Sequence, residues 1–151
     1  MIQRSQTVYL ILSVALLAIL FLSPIWVVSD HSSALPIYIS KSNAAFIGGI
    51  QHTLPLILSI LLAGLTKFVS IFLFKNRKLQ IRLVQIGIMF SLICIILIGS
   101  YLYIYMHIRT EIYARPTLWV AFPFIALILD FLAVKGIKKD QALVDSLNRI
   151  R

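Results

Sequence analysis

Polar residues in this chain are gathered into short blocks that separate four apolar runs, from about Thr7 to Val28, Thr53 to Phe74, Leu83 to Met106 and Thr117 to Val134. Within each run apolar residues follow one another continuously, without the alternation that marks a half-exposed strand. A hydrocarbon core about 30 Å thick is crossed by roughly 20 helical residues, so each run is long enough to span, the fourth with least to spare. Helices are favoured over barrel strands because a spanning helix satisfies its own backbone hydrogen bonds, and a barrel needs alternating positions. The pattern predicts an all-α fold, an integral membrane four-helix bundle forming one transmembrane domain over residues 1–151.

The last block, KGIKKDQALVDSLNRIR over residues 135–151, has its own period. Leu143, Val144, Leu147 and Ile150 recur at helical spacing, and Asp145 and Arg149 form an i,i+4 pair on the polar side. Asp140 is placed to cap its start. This predicts a short amphipathic C-terminal helix that lies on the membrane surface or docks on a partner.

Composition agrees with the pattern. Sixty percent of residues are hydrophobic and 13% are charged, with a mean hydropathy of +0.97, well outside the range of soluble domains. Arg4 ahead of the first run, and Ser32 and Ala34 after it, imitate a secretory signal, but the run is too long for one and is read as a retained anchor.

Charge then orients the bundle. Arg4, Lys75, Arg77, Lys78, Arg82, Lys135, Lys138, Lys139, Arg149 and Arg151 would fall on one side, against Lys41, Arg109 and Arg115 on the other. By the positive-inside rule both termini and the 75–82 loop are cytoplasmic. The net charge of +9 and pI near 10.1 are thus a topology signal, met by the anionic headgroups of the cytoplasmic leaflet, and no nucleic-acid partner is expected. Trp26, Tyr101, Tyr103, Tyr105 and Trp119 would mark the outer interface. Pro55 and Pro116 suit helix starts, whereas Pro123 would sit two turns inside the fourth helix and kink it.

Candidate chemistry is sparse. His31, His52 and His107 with Asp30 and Glu111 would share the outer compartment, but their spacing is not that of a metal site, and no metal or cofactor is expected. There is no nucleotide-binding or nucleophile motif, and the single Cys94 reads as a small packed hydrophobe, so an enzyme is not expected. Ser59 with Ala63, and Gly87 with Ser91, have the small-xxx-small spacing that lets helices approach closely.

The exception to the apolar pattern is Lys67, eight residues before Lys75 within the second run. A lysine at the centre of a membrane helix costs about 2.5–3.5 kcal/mol on insertion scales. Asp130 lies five residues before Lys135 in the fourth run, and helices two and four run parallel, so the two charges share a depth. The hypothesis is an interhelical Lys67–Asp130 ion pair, fixing helix register or serving a proton or ion relay; the alternative is two independent residues reaching the cytoplasmic interface.

The opening MIQRSQTVYLIL, the central LFKNRKLQIRL and the terminal IKKDQALVDSLNRIR together resemble a family of small four-helix inner-membrane proteins of Bacteroidota, a domain of unknown function. The resemblance covers the whole chain and implies a multi-pass location in the bacterial cytoplasmic membrane. It brings no activity or catalytic residue with it.

The cytoplasmic blocks carry more than charge. Gln3, Arg4, Gln6, Lys75, Asn76, Arg77, Lys78, Gln80 and Arg82 crowd amide and forked cationic groups onto one face, and amides add hydrogen-bonding specificity that a topology signal does not need. This points to a non-enzymatic accessory or scaffold subunit docking a membrane or cytoplasmic partner there. The alternative is a small transporter or channel component with Lys67 and Asp130 in its path.

Overall fold

A computed structural model of the chain describes residues 2–30, 33–39, 54–73, 76–108 and 113–149, with the side chains of 2–4, 28, 30, 33–35, 105, 106, 108, 113, 114, 145 and 147–149 excepted. Four helices are long and apolar enough to cross a membrane. They are α1 (Ile2–Leu22), α2 (Leu54–Phe72), α3 (Arg77–Ile108) and α4 (Phe122–Arg149). Each packs against its neighbours in chain order and α4 closes on α1, leaving α2 and α4 on one diagonal of the bundle and α1 and α3 on the other. The start of α1, the α2–α3 turn and the end of α4 share one end of the bundle.

The buried positions explain why the helices pack this way. On α1 they are Gln6, Leu10, Ser13, Leu17 and Leu20, alternating steps of four and three. On α2 they include Leu56, Ala63, Lys67 and Ser70, and on α3 Val84, Ser91, Cys94 and Ile98. This is a heptad seam, which packs helices at shallow crossing angles. What is unusual is its chemistry, because polar side chains share the seam while leucines and phenylalanines such as Leu22, Leu61, Phe68 and Phe72 face outward. That is the gradient expected of a bundle in a hydrocarbon solvent, where polar groups find partners only inside.

At the opposite end a small antiparallel sheet corrects the all-α expectation. Strands β1 (Pro24–Asp30), β2 (Ser33–Tyr38) and β3 (Tyr113–Pro116) pair in the order β2-β1-β3. The first apolar run therefore does not stay helical to Val28. Pro24 disfavours helix at Ser23, and the β-branched and aromatic Ile25, Trp26, Val27 and Val28 favour a strand. The prolines respect sheet rules, with Pro24 first in β1, and Pro36 and Pro116 on the outer strands. Trp26 is buried in the core that joins sheet to bundle, with Ile25, Ile37 and Ile39.

Thr117 fastens this cap. Its N–H donates to Ile25 O at 2.9 Å, and its hydroxyl lies 2.6 Å from Pro24 O and 2.7 Å from Ile25 O. Thr117→Val should lower stability by about 0.5–1.5 kcal/mol, the net worth of one hydrogen bond. Thermal unfolding in detergent measures it, and an unchanged midpoint would mean that the sheet is held by its ladder alone.

Three other boundaries differ from the sequence reading. A 3₁₀ turn, Leu118–Ala121, precedes α4, so Pro123 lies in the first turn of that helix, where its missing N–H costs nothing, and makes no kink two turns in. Helix α3 starts at Arg77, capped by Asn76, whose side-chain Oδ1 accepts from Leu79 N at 3.4 Å and whose carbonyl accepts from Gln80 N at 3.0 Å. Most of the supposed 75–82 loop is thus the first turns of a helix. Finally, α4 runs unbroken through Gly136 to Arg149, so the tail is no separate helix and Asp140 is no cap.

Candidate functional site

Each helix contributes one polar side chain to a single layer: Ser13 from α1, Lys67 from α2, Ser91 from α3 and Asp130 from α4. All four are fully buried, at 0% exposure. Lys67 Nζ lies 2.7 Å from Asp130 Oδ2 along one diagonal. It also donates to Ser91 Oγ at 2.9 Å and to Ser13 Oγ at 3.1 Å, the residues of the other diagonal. The ammonium has three protons, and these three partners account for all of them.

The layer is sealed on both sides. Toward the sheet lie Leu17, Ile60, Ala63, Cys94 and Ala126, and toward the α2–α3 turn lie Leu10, Val84, Ile88, Ala133 and Val134. Asp130 Oδ1 has no hydrogen-bond partner among the described residues.

The close approach of α2 and α3 makes this geometry possible. A Cβ at Gly87 would stand 2.9 Å from Lys67 Cγ and 3.0 Å from Thr66 Oγ1, so the lysine stem crosses α3 where there is no side chain. The Gly87/Ser91 spacing thus has a specific role, seating the stem with one residue and binding the head with the other. Ser59 and Ala63 line the same seam on α2, where Ser59 meets Cys94.

A second buried polar pair lies at the basic end. Gln6 Nε2 donates to Asp140 Oδ2 at 2.8 Å, and both residues are buried between α1 and α4. Gly136 makes room, since a Cβ there would stand 2.9 Å from Gln6 Cγ. This explains why glycine is tolerated inside α4. Gln6→Leu should cost about 1–3 kcal/mol by stranding a buried carboxylate oxygen. The same change in an Asp140→Leu background should cost clearly less, and equal costs in denaturant titrations would show that the two groups do not depend on each other.

The proposed docking residues divide. Gln6 and Gln80 are buried and cannot belong to an exposed face, which corrects the reading for those two. Asn76 caps α3, Arg77 is half-buried, and Lys78 and Arg82 are exposed. Lys75 and the side chains of Gln3 and Arg4 lie outside the described residues, as do His31, Lys41, His52, Arg109 and Glu111. His107 is described, and it stacks on Tyr103 at 4.2 Å between ring centroids.

Sequence reasoning missed Ser13 and Ser91 as partners of Lys67. Their signal was the heptad spacing that each shares with buried leucine or isoleucine on its own helix. Neither a curated protein nor a solved structure matches the chain significantly. The family described as Domain of unknown function (DUF4293) matches residues 2–150, and on that match, which spans both buried pairs and all four helices, the chain belongs to the DUF4293 family.

Proposed function

We propose that this chain is a multi-pass protein of the bacterial cytoplasmic membrane, with both termini and the α2–α3 turn in the cytoplasm, and that it acts as a non-enzymatic accessory or scaffold subunit docking a protein partner at that basic end. The observation that carries this reading is the sealing of the polar layer. Lys67 and Asp130 neutralise each other at 2.7 Å between two apolar layers, an interior suited to fixing four helices in register rather than to passing a solute. Exposed Lys78, Arg82, Lys135, Lys138 and Lys139 gather at one end, where anionic headgroups meet some of them and a partner the rest.

Purification in mild detergent tests the proposal. A stoichiometric partner should be recovered with the wild type and lost with Lys78→Glu/Arg82→Glu. Recovery of an inert monomer alone would overturn it.

Transport remains a second reading because of one atom. Asp130 Oδ1, buried and with no hydrogen-bond donor among the described residues, is a place where a proton could be taken up. Four helices enclose little volume, so transport would require an oligomer. Proton or ion flux into liposomes that disappears in Lys67→Leu/Asp130→Leu would favour this reading over the first.

A further inference from the structure

Helix α4 does not stop where the other helices do. Its last buried described residue is Asp140, yet it continues without a break to Arg149. Lys135 is exposed on α4, and if it marks the edge of the hydrocarbon, Leu143 stands about 12 Å and Leu147 about 18 Å beyond it along the helix. The headgroup region on one side is only about 5–8 Å deep. On that boundary Leu143, 50% exposed, and Val144, 41% exposed, face water rather than lipid.

The ridge has a polarity. Lys135, Lys139 and Leu143 follow at i, i+4 steps as one ridge of α4, with two cations at its foot and a leucine at its top. Lipid does not reach the top of a helix collinear with α4. A second copy does not suit the ridge either, because two copies in one membrane share an orientation and would set Lys135 and Lys139 against the same residues.

We infer that this ridge receives an acidic amphipathic helix of a protein partner, with carboxylates level with Lys135 and Lys139 and apolar residues level with Leu143. The inference rests on the docking reading above and names the chemistry of the partner. Association should be steered by charge and weaken as salt rises.

The test is a photo-crosslinking residue placed at Leu143 of the full-length protein in its own membranes, with a second placement at Lys78. The expected result is a discrete protein adduct at position 143. Its crosslinked peptide, sequenced by mass spectrometry, should carry acidic residues one to two turns from the attachment point, and the adduct should be lost in Lys135→Gln/Lys139→Gln. An adduct with lipid or with a second copy, a peptide without acidic residues, or an adduct that persists in the double glutamine variant would overturn the inference. Adducts at 78 with none at 143 would reject the ridge and keep the docking face. Absence of protein adducts at both positions would reject both.

Discussion

Asp130→Leu is expected to destabilise the protein by about 3–5 kcal/mol, the cost of leaving one member of a buried ion pair without the other. Without the carboxylate, the Lys67 ammonium keeps only the hydroxyls of Ser13 and Ser91. It cannot reach water, because Lys67 is wholly buried and its stem is held against Gly87. Lys67→Leu should cost a similar amount, since it strands the carboxylate in the same apolar surroundings. The double variant Lys67→Leu/Asp130→Leu should recover most of the loss, because exchanging a buried pair for apolar groups of similar size is often neutral or stabilising by about 1–4 kcal/mol. Unfolding in detergent against a denaturing surfactant measures all three. If the double variant falls by the sum of the singles, the two charges act independently and the layer is not what holds the register.

Why this pair is legible, while much around it is not, follows from the chemistry of apolar runs. A charge in an apolar run is conspicuous, and parallel helices that place Lys67 eight residues before Lys75 and Asp130 five before Lys135 bring the two to a similar depth. A serine in such a run is cheap and common, so Ser13 and Ser91 carried no signal by identity, only by position on the seam. Asp140 reads as the cap of a new helix because that is its role in water. In the folded bundle, Gly136 is the seat of Gln6, and Asp140 is its acceptor.

Of the sheet, only the Pro-Ile-Tyr-Ile-Ser stretch at residues 36–40, which overlaps β2, reads in the sequence as a short strand. Its strands come from two connections that lie far apart in sequence, and neither has residues enough to fold alone. A continuous apolar run also reads equally as helix or buried strand. Pro24 was the local sign of the change. Apolar continuity thus located the four candidate spans, whereas the departures concern the ends of the helices and their contacts with one another.

Gly87→Ala should destabilise the protein although alanine is the better helix former. The new Cβ would lie 2.9 Å from Lys67 Cγ, 3.3 Å from Lys67 Cε and 3.0 Å from Thr66 Oγ1. None of these atoms can withdraw easily. The lysine stem is fixed by its backbone and by an ammonium bound to Asp130, and Thr66 Oγ1 is already hydrogen-bonded to Leu62 O at 2.8 Å. Relief therefore requires α2 and α3 to separate, an overpacking cost of about 1–3 kcal/mol, against about 0.5–1 kcal/mol regained from replacing a helical glycine. Gly99→Ala on the same helix is the control, because nothing lies within 4 Å of a Cβ there and only the gain should appear. The two substitutions are thus expected to shift the unfolding midpoint in opposite directions. Repeating Gly87→Ala in a Lys67→Ala/Asp130→Leu background, which removes the stem, should abolish most of its cost. An undiminished cost there would mean that the two helices meet backbone to backbone, and that Gly87 serves the helix contact itself and not the lysine.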